Sequence, residues 1–437
     1  MTIEQIGKRA FGSDGLERIR EELIGCMRCG FCLSVCPIYS ETGTETNSPR
    51  GWLALTKAVV EERHPATRNF AHLVTNCLSC KACTSVCPPG VPIDDLILAA
   101  RALTAQSRRG LAVKAALLRL AMGHPARMDR ALMPVRLLYQ RSGLQSLFRR
   151  WGLGKVLPFG AGRLDQFIPA FARRSGRKGI PYLTPAQGER KHRVGYFQSC
   201  MDAAVFPESA RATVAVLAAN GCEVVTPPAT ACCGMPSRAL GDLRTVRECA
   251  SWNAALFEKA VVDAVIVDCA TCGSMLREYP GVMGTEPSQA QIEAFSRRVV
   301  DVSAFLSQIG CREPERPKDG IRVTYHDPCH LGRGQGVTEE PRRMLELVGA
   351  ELVEMAESDL CCGGAGSYNV THPELSLAVL ERKMANIKST GASVVATGCP
   401  ACQIQLQAGV KRHGLSVGVV HPVVLLAQAY ALERQRS

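Results

Sequence analysis

Apolar residues recur along this chain with two different periods. Over the first hundred residues the period is helical. Ser13 to Ile24 reads as a helix with Ser13 or Asp14 as its N-cap. Pro49 leads into a second helix over Gly51–Glu62, where Trp52, Leu53, Leu55, Ala58 and Val59 fall at helical spacing. Phe70 to Asn76 and Asp94 to Ala105 read as two more. Beyond them, Leu111 to Met122 is rich in Ala and Leu and stops at Pro125. Arg136–Trp151 carries Leu137, Leu144, Phe148 and Trp151 on one helical stripe, interrupted by Arg141. From Pro158 to Pro185, repeated Gly and Pro mark an irregular linker.

The pattern then changes to short apolar runs alternating with helical stretches. Arg193 to Phe197, Glu223 to Thr226 and Ala264 to Val267 read as strands. Arg322 to Tyr325, Leu352 to Met355 and Ser393 to Ala396 are their counterparts further on. Ser209 to Ala219 and Pro341 to Val348 are helices between them. Alternating strands and helices predict α/β structure with parallel sheets.

Composition and charge narrow the picture. The 437 residues suggest two to four domains, and 46% hydrophobic with 21% charged residues is ordinary for a globular chain. No apolar run is long enough to span a bilayer; the stretch from Val419 to Leu432 is broken by His421, Pro422 and Gln428. The N-terminus carries acidic residues and no apolar core, so it does not read as a secretory signal. The net charge of +12 is concentrated: between Arg101 and Arg193 there are 20 Lys and Arg against three acids. That segment suits an anionic lipid surface, an acidic partner subunit or a merely solvated face. Nucleic acid is not expected, because aromatics are 5% of the chain and no binding motif accompanies the charge.

The 21 cysteines change the reading most. Without an export signal, clustered cysteines point to metal or redox chemistry rather than a disulfide framework. Cys26, Cys29, Cys32 and Cys36 precede Pro37, and Cys77, Cys80, Cys83 and Cys87 precede Pro88. Both runs have the C-x2-C-x2-C-x3-C-P spacing of bacterial two-cluster ferredoxins. Three thiolates at that spacing wrap one cluster, and the fourth is carried off to the other. Cys26, Cys29, Cys32 and Cys87 are therefore expected to hold one [4Fe–4S] cluster, and Cys77, Cys80, Cys83 and Cys36 the second. A pair of four-thiolate zinc sites is the competing reading.

A second pattern repeats over a longer distance. Cys200 precedes Cys232-Cys233-Gly234 and then Cys269 and Cys272; Cys329 precedes Cys361-Cys362-Gly363 and then Cys399 and Cys402. The single cysteine and the pair stand 32 positions apart in both, which marks a duplicated unit. Each single Cys and each C-x-x-C follows a predicted strand, so five thiols per unit are expected to converge where the carboxyl ends of parallel strands open a crevice. Inert buried cysteines, zinc or a dithiol pair are the alternatives. Cys222, Cys249 and Cys311 have no cluster spacing and read as ordinary residues.

These motifs resemble the glycolate oxidase iron–sulfur subunit family. The layout, two ferredoxin-type motifs followed by two CCG domains, is similar also to iron–sulfur subunits of heterodisulfide reductase and of anaerobic glycerol-3-phosphate dehydrogenase, and CCG domains occur in lactate-utilisation proteins. Cys29-Gly-Phe-Cys32, Ser48-Pro-Arg-Gly51 and the run from Cys361 to Ser376 look most like the glycolate oxidase subunit. The resemblance implies an α/β protein with an N-terminal α-helical ferredoxin-like domain (1–100), a basic helical linker (101–193) and duplicated Rossmann-like CCG domains with parallel sheets (194–312 and 320–437). It implies an electron-transfer subunit of a flavin-dependent dehydrogenase for a 2-hydroxy acid, glycolate or lactate. Electrons would come from an FAD-containing partner subunit and leave toward quinone. The expected location is the cytoplasm, with a peripheral seat on the cell membrane open.

By the same resemblance, the five thiols of each CCG unit would hold one or two further clusters in all, of the noncubane [4Fe–4S] type in heterodisulfide reductase. Both units keep all five, which leaves a second reading open: a catalytic subunit reducing a disulfide or another sulfur substrate. No dinucleotide-binding or Walker motif follows a strand, so nothing supports nicotinamide, flavin or ATP binding by this chain itself. His326, Asp327 and His330 flank Cys329 as candidate proton relays, against the plainer reading of polar residues packed at a strand end.

Overall fold

The computed structural model describes residues 3–11, 15–105, 125–150, 168–172, 175–283, 288–315, 320–366 and 368–434. The N-terminal part is helical: α1 (Ile3–Phe11), α2 (Gly15–Ile24), α3 (Pro49–Val60), α4 (Arg68–Thr75) and α5 (Ile93–Ala105) surround the two ferredoxin-type loops. Ser48 caps α3 by accepting from Gly51 N, and Thr67 caps α4 by accepting from Phe70 N. Trp52, Val59, Phe70, Val74, Leu96 and Ile97 are buried together in their core. The anticipated cap at Ser13 or Asp14 and the helix over Leu111–Met122 lie outside the described residues. The helix expected over Arg136–Trp151 is not continuous. A wide helical turn over Val135–Arg141 ends at Ser142 and Gly143, where φ reaches +78°, and a new helix runs Leu144–Arg150. A glycine reverses the chain there at little steric cost, so the apolar stripe is divided between two segments.

Two sheets follow. The first contains β1 (Leu183–Thr184), β2 (His192–Tyr196), β3 (Cys222–Val225), β4 (Ala264–Val267) and β5 (Val299–Asp301) in the order β1-β3-β2-β4-β5. The second contains β6 (Arg322–Tyr325), β7 (Glu351–Leu352), β8 (Val394–Ala396) and β9 (Gly418–Val420) in the order β7-β6-β8-β9. Apart from β1, which pairs antiparallel with β3, every pairing is parallel and the two orders are the same. The strand expected over Leu352–Met355 shrinks to two residues, because only Glu351 and Leu352 find partners on β6. β1, β5 and β9 were too short to stand out from their surroundings.

The helices of the first unit are α6 (Cys200–Ala204), α7 (Pro207–Ala219), α8 (Leu243–Ala260), α9 (Ala270–Arg277) and α10 (Val302–Ile309). Those of the second are α11 (Cys329–Gln335), α12 (Glu339–Leu347), α13 (Pro373–Ser389), α14 (Pro400–Arg412) and α15 (Pro422–Arg434). The units meet reciprocally. α7 of the first packs on α15 of the second, and α12 of the second packs on α10 of the first. In the same way α9 packs on α11, and α6 on α14. Equivalent surfaces thus meet around an internal pseudo-two-fold axis. Val216 and Leu217 share one core with Leu426 and Tyr430, all buried. Each such side chain contributes about 1.5–3 kcal/mol of burial, so this apolar seam dominates the association.

The helical part is clamped over the carboxyl ends of both sheets. Arg101 on α5 is buried and donates to the carbonyls of Val74, Cys77 and Ala239 at 2.9, 2.5 and 3.3 Å. Lys81 pairs with Asp94 at 2.7 Å and with Glu278 of the first unit at 3.2 Å, while Arg238 joins Glu278 to Asp95. Tyr368 of the second unit donates to Asn76 O at 2.7 Å. Such buried ionic networks add little net stability but fix one docking register. Gly241 shows how close the approach is: φ is +78°, and a Cβ there would lie 2.6 Å from Arg101 O. Gly241→Ala is therefore expected to cost about 2–5 kcal/mol from backbone strain plus the clash. Gly414→Ala, with φ +59° and open space around it, should cost only the conformational part, about 1–2 kcal/mol. Urea midpoints of the two variants check the difference.

Candidate metal centres

The two ferredoxin-type loops share one backbone device. In the first, Arg28 (φ 57°) and Gly30 (φ 89°) flank Cys29; in the second, Ser79 (φ 51°) and Lys81 (φ 61°) flank Cys80. Left-handed residues on both sides of the middle cysteine curl each loop into a cup whose amide groups face inward. Ser79 N donates to Cys77 Sγ at 3.3 Å, and Tyr39 N to Cys36 Sγ at 3.4 Å. A lysine at a left-handed position is strained, and the ion pairs of Lys81 with Asp94 and Glu278 hold it there.

Cys26, Cys29, Cys32 and Cys87 line one small cavity with Phe31, Arg50 and Pro88. Cys87 thus joins the three thiols of the other motif. Cys36 in turn lies close enough to Cys77 and Cys83 to interact electrostatically with both. Cys29 is exposed and Cys26 and Cys87 partly so, whereas Cys36, Cys77, Cys80 and Cys83 are all buried. Burial pushes the Cys36 thiol up to about 12. Iron at such a site has to offset that preference for the protonated form.

The CCG cysteines lie at the crevice where the strand order reverses, beyond the carboxyl ends of β2 and β4 and of β6 and β8. Their thiols form one unbroken run. Cys200 contacts Cys232, Cys232 contacts Cys233, Cys233 contacts Cys272, and Cys272 contacts Cys269. In the second unit the same sequence is Cys329, Cys361, Cys362, Cys402 and Cys399, with Cys362 Sγ and Cys402 Sγ 3.5 Å apart. Cys269 meets Cys399 at the pseudo-axis and joins the halves. All ten line a single cavity of about 970 Å³. Hydrogen bonds from Cys232 and Cys272 draw Cys233 down to about 5. Those from Cys329 and Cys362 draw Cys361 well below the usual thiol range. Gly234 (φ 92°) and Gly363 (φ 83°) follow the pairs, and their amides donate to Cys232 Sγ and Cys361 Sγ, each at 3.5 Å. A Cβ on Gly363 would lie 2.5 Å from Ser376 O, so the turn accepts no side chain.

The ferredoxin-type part and the CCG part approach at one point. Cys80 interacts electrostatically with Cys361 and Cys329 of the second unit, and Arg333 donates to Cys80 O at 3.3 Å. Cys77 and Ser79 also line the large cavity, beside His72, Arg101, Tyr368 and His372. His372 lies between His72 and Tyr368, with ring centroids 6.1 and 4.5 Å away. The sequence offered no sign of these rings or of Arg101, because none belongs to a spaced motif.

The remaining candidates separate. Asp327 is held by Arg342 through two bonds of 2.8 and 2.7 Å. His330 Nδ1 lies 3.6 Å from Cys329 Sγ, and His326 is buried with neither ring nitrogen bonded. No hydrogen-bonded relay joins the three. Cys222 begins β3, and Cys311 contacts Tyr430 Oη at 3.5 Å. Cys249 is buried near Cys200 and Cys232, an extra thiol that its spacing did not reveal.

Comparison with known proteins decides the family. Residues 22–91 match the 4Fe-4S dicluster domain, and residues 194–277 and 323–407 each match the cysteine-rich CCG domain. A Bacillus subtilis protein named "Probable glycolate oxidase iron-sulfur subunit" is 37% identical, over 94% of this chain and 95% of its own length. This chain belongs to the glycolate oxidase iron–sulfur subunit family. The Escherichia coli glycolate oxidase iron–sulfur subunit is 27% identical over 91% of each chain. A Methanothermobacter marburgensis protein, named as one of the subunits of a CoM/CoB fumarate reductase, is 29% identical over 95% of this chain and 76% of its own.

The donor sets fit iron–sulfur clusters of this family. They consist of thiols, supported by inward amides and largely shielded from water, and a dicluster domain with two cysteine-rich domains carries multiple clusters. The crossed ligand sets are our assignment. On it, Cys87→Ser perturbs the same EPR centre as Cys26→Ser, and Cys36→Ser the same centre as Cys77→Ser. Spectra in which Cys87→Ser instead alters the centre of Cys77 would reverse the assignment.

Proposed function

We propose that the chain is the electron-transfer subunit of a flavin-dependent dehydrogenase for a 2-hydroxy acid such as glycolate, receiving electrons from an FAD-containing subunit and passing them toward quinone. The ligand sets are those given above: Cys26, Cys29, Cys32 and Cys87; Cys77, Cys80, Cys83 and Cys36; and the five thiols of each CCG unit, for one or two clusters beyond the cubane pair. The working division of the chain is 1–100, 101–193, 194–312 and 320–437, with Rossmann-like CCG domains. The observation that carries this reading is the continuous series of thiol sites, from the exposed Cys29 through buried Cys80 to Cys361 and on to the ten-thiol run.

Bound clusters supply one-electron chemistry. The chain's own residues hold the sites in sequence and keep water from the inner ones. Arg101, Lys81 and Arg333 place positive charge beside the buried thiols. Ile24, Met27 and Phe31 are 67%, 67% and 60% exposed around Cys29, an apolar surface at the outermost site. That surface suits a partner whose flavin must come close, since charged side chains are depleted at the centres of such interfaces. Among the described residues no helix is long and apolar enough to cross a membrane. Leu137, Leu138, Leu144 and Leu147 are exposed within the basic segment, which supports a peripheral seat on an anionic membrane face.

The first test is anaerobic mixing with the FAD-containing subunit and glycolate, following cluster bleaching. Phe31→Glu is expected to slow bleaching at least tenfold with iron content unchanged. An unaltered rate would remove this surface from the contact. A second reading has its own support: both units keep five thiols in one cavity, and one relative is named as part of a CoM/CoB reductase. It requires the reduced chain, without partners, to consume a disulfide; our reading expects no turnover.

A further inference from the structure

The two CCG units are built alike, yet one position differs in a way that bears on chemistry. Phe197 and His326 each follow the first strand of their unit. Their backbones are fixed identically: Phe197 N donates to Ile266 O at 2.9 Å, and His326 N to Ala396 O at 3.0 Å. Phe197 packs against Phe257, with ring centroids 6.2 Å apart, in an apolar core. His326 is wholly buried, and neither Nδ1 nor Nε2 has a hydrogen-bond partner. An imidazole removed from water without a partner is costly, and buried histidines are ordinarily satisfied. The polar groups nearby are already engaged: Lys383 donates to the carbonyls of Glu357 and Ser358, and Asp327 is held by Arg342. What remains beside the ring is sulfur. A His326 ring nitrogen, Cys362 Sγ and Cys402 Sγ all lie within 4.8 Å of one another.

We propose that His326 is a nitrogen ligand of the iron centre in the second CCG unit. The two centres are then chemically unequal, five thiols serving the first and five thiols with one imidazole the second. The inference rests on the cluster reading of the CCG sites and adds a donor that no cysteine motif contains. Replacing thiolate by imidazole donors raises the potential of an iron–sulfur centre. An imidazole at the second unit would thus set it apart from the first as the better electron acceptor.

The test uses the anaerobically purified full chain, grown with ¹⁵N-histidine, and pulsed EPR of its CCG signals with iron analysis alongside. The expected result is a strong ¹⁵N hyperfine coupling that disappears in His326→Phe, the residue type of the first unit, together with a lower midpoint potential. In unlabelled His326→Gly, added ¹⁵N-imidazole should restore the coupling. A full iron content with no strong nitrogen coupling overturns the proposal while leaving the cluster reading intact. So does a coupling that survives in His326→Phe, or His326→Gly that takes up iron without coupling to the added imidazole. Iron sufficient only for the ferredoxin-type sites would instead overturn the cluster reading itself.

Discussion

Cys269 and Cys399 touch at the axis that relates the two sheets, and the contact requires each unit to present the same strand end to the other. Four reciprocal helix pairs hold them there, with buried residues such as Leu217 and Leu426 at the seam. The consequence is one cavity instead of two. Either unit alone would open its thiols to solvent along the face the other covers, and exposed thiolates are readily oxidised. The duplication therefore creates the enclosure that its own cysteines need.

Charge explains how the helical part is seated over that cavity. Arg101 is buried, and its three hydrogen bonds all go to carbonyls. A buried cation without a carboxylate costs several kcal/mol unless nearby negative charge compensates it. Thiolates at Cys77 are the negative charge within reach. The Lys81, Asp94, Glu278 and Arg238 network lies on the other side of the same loop. Burial alone would raise the Glu278 carboxyl, but Arg238 and Lys81 outweigh it and hold it near 2. The loop carrying Cys80 is thus fixed from both sides, and its distance to Cys361 cannot drift without breaking these bonds.

Much of this was legible in the residues, because cysteine spacing encodes loop geometry that few other structures require. The crossing of Cys87 and Cys36 followed from the extra residue before each proline, and the duplicated units from equal steps between single and paired cysteines. The strands over Ala264–Val267 and Arg322–Tyr325 were read to the residue, since each is an apolar run bounded by clear turns. Other features were hidden. Glu351–Leu352 is a strand only because β6 lies beside it, and the apolar residues after it gave a false length. Gly143 divides a stripe that periodicity alone joins. The pseudo-two-fold pairing, the meeting of Cys269 with Cys399, the approach of Cys80 to Cys361 and the seats of Arg101 and Cys249 are contacts between distant segments, which no local pattern records.

The most direct measurement of the central claim is anomalous diffraction at the iron edge from anaerobically grown crystals. The account predicts iron at two ferredoxin-type sites, each taking three cysteines from one motif and its fourth from the other. It predicts further iron within the ten-thiol cavity, on the Cys361 side nearest Cys80. An iron-free cavity, or iron sites separated from one another by thick protein walls, would contradict a continuous electron path through this chain.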